Sequence, residues 1–159
     1  MRPTAAQVAA LCFLALGCGS GKAKSLEGSL SVTMDLTYDS AELLTSDTEA
    51  ALKFAQTLGS IENVVFQVTV NWVGVEVKPG VPIDLTELAP SGAQRGVVSR
   101  NVDNDPRHTF PPLGRGRLLL QGVPNSGGKT RGDFSVTFEN GTHFASGRTV
   151  FGKFEASVP

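Results

Sequence analysis

The feature that most limits what this chain can become is a period of two. In residues 64–73, Val64, Phe66, Val68, Val70 and Trp72 alternate with Val65, Gln67, Thr69, Asn71 and Val73. Successive side chains of a strand point to opposite faces, so this spacing predicts a β-strand with one buried face. The rhythm recurs at Leu30, Val32, Met34, Leu36 and Tyr38, which predicts an opening strand over 30–38. It recurs again at Gly132, Phe134, Val136 and Phe138, and at Gly152, Phe154, Ala156 and Val158. These predict strands over about 130–139 and 145–158.

Shorter signals fill the gaps. Residues 81–88, 96–102 and 117–121 read as short strands, the first an edge strand because Pro82 lacks an amide hydrogen. Residues 103–113, with Pro106, Pro111 and Pro112, read as an ordered loop. Asn140-Gly141 predicts a two-residue hairpin turn, since both residue types accept positive φ. Gly132, Gly147 and Gly152 are candidate bulges or points of close backbone approach. Residues 45–58 fit two patterns. Ser46 with Glu49 forms a capping box ahead of a possible helix, while Leu52 and Phe54 fit a strand. The β-rich surroundings tip the reading to a strand. Short strands at regular spacing predict a single all-β domain, an antiparallel sandwich or barrel, over 28–159.

The first residues have a different logic. A basic side chain, Arg2, precedes a mostly apolar run over 5–16, and small Gly17 precedes Cys18. This is the pattern of a secretory signal, and the run is too short to span a bilayer, which takes about 20 apolar residues. Leu14-Ala15-Leu16-Gly17-Cys18 resembles the lipobox of bacterial lipoproteins. The resemblance implies cleavage after residue 17 and acylation of Cys18. It departs from the usual pattern in placing Leu four residues before the cysteine rather than three. Gly19, where an Asp marks inner-membrane retention in many such proteins, implies the outer membrane of a Gram-negative bacterium. Residues 18–27 read as the lipidated cysteine and a flexible tether.

Removal of 1–17 takes Cys12 and leaves Cys18 as the sole cysteine, so burial rather than a disulfide must stabilise the domain. The remaining chain carries 13 basic and 15 acidic residues, 13 − 15 = −2, which argues against a general nucleic-acid binder. Charge is uneven: 4 − 10 = −6 over 18–94 and 9 − 5 = +4 over 95–159. Oppositely charged strands paired in one sheet account for this, with a basic face for phosphate-bearing headgroups as the alternative.

Several motifs fail on mechanism. Pro124-Asn125-Ser126-Gly127-Gly128-Lys129-Thr130 resembles a phosphate-binding loop, but the spacing needs glycine at Val123, and a strand pattern follows where a helix must. Arg131-Gly132-Asp133 spells an integrin-binding tripeptide, but at a strand start rather than a loop tip. Asn101, Asp103 and Asp105 alternate like calcium ligands, yet Pro106 stands where the loop needs glycine. Asn140-Gly141-Thr142 matches a glycosylation sequon and reads as a turn. His108 and His143 are the only histidines, and a catalytic zinc site usually takes three protein ligands.

Residues 132–141 with 147–154 resemble the closing hairpin of small, uncharacterised all-β bacterial lipoproteins, which implies fold and location and no activity. The leading reading is a lipid-anchored, non-enzymatic envelope domain that binds a partner or serves structurally, with no cofactor, metal, nucleotide or nucleic acid. A barrel with an apolar cavity for lipid is the second. An envelope hydrolase using His108, His143 and an acid is the third. A binding cleft is expected if Arg95, Arg100, Arg107, Arg115 and Arg117 converge with the two histidines.

Overall fold

The computed structural model describes residues 24–103, 105 and 107–159. Residues 1–17, expected to be a signal segment, and Cys18 lie outside them. The described residues are all-β, in the order β1 (Lys24–Ser25), a 3-10 turn (Ser29–Val32), β2 (Thr37–Tyr38), β3 (Ser40–Thr45), β4 (Glu49–Leu58), β5 (Ile61–Asn71), β6 (Pro82–Asp84), β7 (Gly96–Asn101), β8 (His108–Thr109), β9 (Leu113–Leu120), β10 (Gly128–Phe138) and β11 (Thr149–Val158). Nine strands make one sheet, ordered β6-β9-β10-β11-β3-β4-β5-β7-β8, and β1 pairs with β2. The sheet is mixed rather than wholly antiparallel, because β11 and β3 meet in parallel at Ser157 and Glu42.

The sheet curls into a partial barrel. Its flanks approach at Leu85, whose amide donates to the Gly116 carbonyl (2.9 Å) and whose carbonyl accepts from the Gly96 amide (2.8 Å). One residue after β6 thus bridges β9 and β7. Gly96 and Gly116 are required here, since a Cβ on either would lie 2.6 or 2.9 Å from the Leu85 Cβ.

Rings fill the interior. Phe54 and Phe66 both pack on Phe134, with centroids 5.4 and 5.8 Å away. Phe66 meets Phe110 at 5.9 Å, and Phe110 stacks on Phe138 at 5.1 Å. Around them Leu43, Leu52, Val68, Val136 and Val150 are fully buried. The inward side of each long strand is its apolar side, so the period-two pattern becomes the core directly.

The strand expected over 45–58 is β4. Its presumed capping box closes a turn instead: the Ser46 hydroxyl accepts from the Glu49 amide at 3.0 Å, and the Ser46 amide donates to the Glu49 carbonyl at 2.8 Å. The Trp72 indole fixes the same turn by donating to the Ser46 carbonyl at 3.0 Å. Alternation also survives in β10, in β11 and in β5 from Phe66 onward, whereas an irregularity between Val64 and Gln67 buries Val65 rather than Val64, and Pro82 does lie on an edge strand.

Four expectations need correction. Residues 30–38 are not one strand. Gly28 turns the chain at φ 124°, a 3-10 turn follows, and the Asp35 carboxylate accepts from the Thr37 amide and hydroxyl at 2.9 and 2.7 Å. Such local bonds compete with a strand ladder. Leu30, Leu36 and Tyr38 are buried, but Val32 is 83% exposed, because this arm packs on the sheet instead of pairing as one strand within it. Second, the boundary at residue 28 is too late: β1 pairs with β2, Leu26 is buried, and Glu27 bridges Phe151. Third, Asn140-Gly141 is not a two-residue hairpin. Residues 139–148 form the connection, with Gly147 at φ 70° and its amide on the Glu139 carbonyl. Fourth, the 103–113 loop contains β8, and β9 begins at Leu113 rather than 117.

Candidate functional site

The motifs set aside on spacing are absorbed into the fold. Lys129 pairs with Glu155 at 3.1 Å, and the chain enters β10 at Gly128, so no helix N-terminus faces the 124–130 turn. Arg131 also holds Glu155, at 2.7 Å, and Asp133 holds Arg117 at 2.8 Å. Arg131, then Lys129, keep the Glu155 carboxyl below its ordinary range. Gly132 between them is buried within β10. The Asn63 side chain accepts from the Asp103 amide at 2.6 Å, while Asp105 binds His108 at 2.9 Å. Among the described residues no three His, Cys, Asp or Glu gather as a metal site.

The histidines have separate surroundings. His108 is partnered by Asp105, whereas His143 accepts the Ala145 amide at 3.1 Å and packs against Phe144 and Phe110. The arginines do not converge either. Arg95 is 6% exposed and donates to the Asn71 and Val73 carbonyls, tying two loops together. Arg100 reaches the Asp35 and Val65 carbonyls. Arg107 is exposed beyond β7. Arg115 and Arg117 alone share a groove.

That groove lies on the outer wall, across β6, β9, β10 and β11. One part, of about 460 Å³, is lined by Asp84, Arg115, Arg117, Ser135 and Thr137 among others. A second part, of about 720 Å³, runs on from Arg117 and Ser135 to Phe151, Lys153 and Glu27. Register explains its chemistry. Asp84 is opposite Arg117, Arg117 opposite Ser135, Ser135 opposite Phe151, and Phe151 opposite Glu27. Directly opposed residues share a face, so these five form one row. With strands about 4.8 Å apart, the row is about 19 Å long.

Along the row an acid, a guanidinium, a small hydroxyl, a ring and a second acid follow in turn. Ser135 leaves a notch between Arg117 and Phe151, a residue that is 42% exposed. Asp133 and Lys153, opposed in the next row, flank the notch. The Thr86 hydroxyl and amide bond the Asp84 carboxylate and hold its pKa below the usual range. The arrangement presents donors and acceptors side by side. Among the described residues the histidine hydrogen bonds run to the Asp105 carboxylate and the Ala145 amide, and neither histidine lines the groove.

Sequence reasoning named Arg115 and Arg117 but missed Asp84, Ser135, Phe151 and Glu27. The available signal was the outward half of each strand's alternation, which specifies a wet face without saying which strands adjoin. No family model matches the chain, and no curated protein or solved structure matches it significantly.

Proposed function

We propose that this chain is an exported bacterial lipoprotein, acylated at Cys18 and anchored in the outer membrane of a Gram-negative bacterium. Its β-domain binds an envelope partner or serves the envelope structurally, without catalysis. The observation that carries the anchor is the sequence Leu14-Ala15-Leu16-Gly17-Cys18 at the end of a short apolar run, with Cys18 the sole cysteine after cleavage. Several acyl chains give durable attachment, since each buried methylene contributes about 0.8 kcal/mol.

The fold adds a geometric consequence. Because β1 begins at Lys24, only residues 19–23 separate the lipidated Cys18 from the folded domain. The six residue steps from Cys18 to Lys24 reach at most about 20 Å, so the domain works close against the membrane surface. The ring-filled interior supports recognition on the outer wall rather than storage of a lipid inside.

The test is Cys18→Ser in the full chain, followed by membrane fractionation and intact-mass measurement. Wild type is expected in the membrane fraction, with an acyl mass and without residues 1–17. The variant is expected to lose the acyl mass and to leave the membrane fraction. A variant that stays membrane-bound and is processed identically overturns the anchor.

A further inference from the structure

We infer that the outer-wall groove binds an uncharged, polyhydroxylated chain, a neutral glycan, seated over Ser135 between Arg117 and Phe151. The inference deepens the proposed binding role but stands on different residues from the anchor.

The groove's lining sets the class of ligand. Its titratable groups are Asp84, Glu27 and Asp133 against Arg115, Arg117 and Lys153, so its formal charge is 3 − 3 = 0. A site for a polyanion concentrates positive charge, and this one does not. A site for an acyl chain is lined chiefly by apolar groups, whereas this groove's exposed large apolar side chain is Phe151. A peptide added as an extra strand needs a long open edge, but the edge strands are the three-residue β6, which contains Pro82, and the two-residue β8.

What remains is a ligand with many hydroxyls, each both donor and acceptor. Arg117 supplies a planar donor fork, the acids supply acceptors, and Ser135 supplies both. The Phe151 ring offers an apolar face for the C–H side of a sugar. The larger part of the groove, at about 720 Å³, falls within the range of about 300–1,000 Å³ typical of small-ligand sites. Arg117 is already oriented by Asp133 at 2.8 Å, so little side-chain freedom is lost on binding.

The test uses the full chain in detergent and three neutral probes, chitotetraose, cellotetraose and maltotetraose, titrated by NMR or calorimetry. Heparin and lipopolysaccharide serve as polyanion probes. Saturable binding of at least one neutral probe is expected. Phe151→Ala and Ser135→Arg, both at outward positions, should each weaken it by about tenfold or more, as loss of a central contact does. Their melting curves should match wild type. Val97→Ala, on β7, should bind as wild type does. Absence of binding by all three probes overturns the inference, as does equal binding by Phe151→Ala and Ser135→Arg. Preference for heparin or lipopolysaccharide also overturns it. The Cys18→Ser fractionation reads the anchor separately, so failure of one proposal leaves the other measurable.

Discussion

Replacing Gly132 by alanine adds one methyl group to a buried strand and tests the packing of the barrel directly. A Cβ there would lie 2.1 Å from the Leu119 carbonyl oxygen and 2.7 Å from the Phe154 ring edge. Side chains essentially never approach closer than 3.0 Å, so the carbonyl must retreat by 3.0 − 2.1 = 0.9 Å. Leu119 belongs to the β9–β10 ladder, and Phe154 lies directly opposite Gly132 on β11. Both neighbours are fixed by pairing and packing. Overpacking a core costs about 1–3 kcal/mol, with the upper end appropriate where backbone must move. Disturbing one ladder hydrogen bond adds about 1 kcal/mol. Alanine's lower unfolded-state entropy offsets about 0.7 kcal/mol. The expected loss is about 3 kcal/mol, a large fraction of the stability of about 5–15 kcal/mol usual for a domain. Urea unfolding followed by fluorescence of Trp72, the single tryptophan, measures it. Gly122→Ala is the control, because a Cβ at Gly122 meets nothing within 4 Å. A Gly132→Ala variant within about 1 kcal/mol of wild type would refute the reasoning, given that a tolerated overpacked site loses at least that much.

Two further outcomes concern charge. Lys53 sits between Glu42 at 2.7 Å and Glu62 at 3.1 Å, with its own side chain 14% exposed. Burial disfavours its charge, but hydrogen bonds and charge from the two carboxylates outweigh this and raise its pKa above its ordinary value. Lys53→Met should therefore cost about 1–2 kcal/mol by thermal melting, discounted because the carboxylates are partly exposed. Adding Glu42→Gln should recover part of the loss, whereas an unchanged melting temperature would mean that the pair contributes nothing. At the acid end, the Thr37 amide and hydroxyl lower the pKa of Asp35, Thr86 lowers that of Asp84, and Arg131 with Lys129 lower that of Glu155. A lowered folded pKa contributes stability that is present above the ordinary value and lost as pH falls through the folded value. Melting temperature should hold down to about pH 4.5, the ordinary value for Glu155, and fall below it. A curve flat to pH 2, about the lower limit for bonded carboxylates, would contradict these bonds.

The candidate site was legible only in fragments. The alternation in β10 and β11 announces that Asp133, Ser135, Phe151 and Lys153 face outward. It cannot say that Ser135 lies opposite both Arg117 and Phe151, because that depends on two registers. Glu27 was read as tether, and only its bridge to Phe151 places it at the end of the row. A cleft of arginines and histidines was expected only if those residues converged, and convergence depends on strand order. Arg95 and Arg100 are used on backbone carbonyls.

The sequence by itself determined the strands whose two sides differ in polarity. β4, β5, β10 and β11 follow from a local preference, period two with a buried side, that each segment carries alone. Tertiary structure decided the rest. It decided that 30–38 pack as an arm rather than pair as one strand, that Leu85 bridges the two flanks, and that β11 meets β3 in parallel. It also drew residues 27, 84, 117, 135 and 151 into one row. The physical reason is common to all four. Strand order and register are set by hydrogen bonds and packing between segments far apart in the chain, and no segment encodes its neighbour's identity.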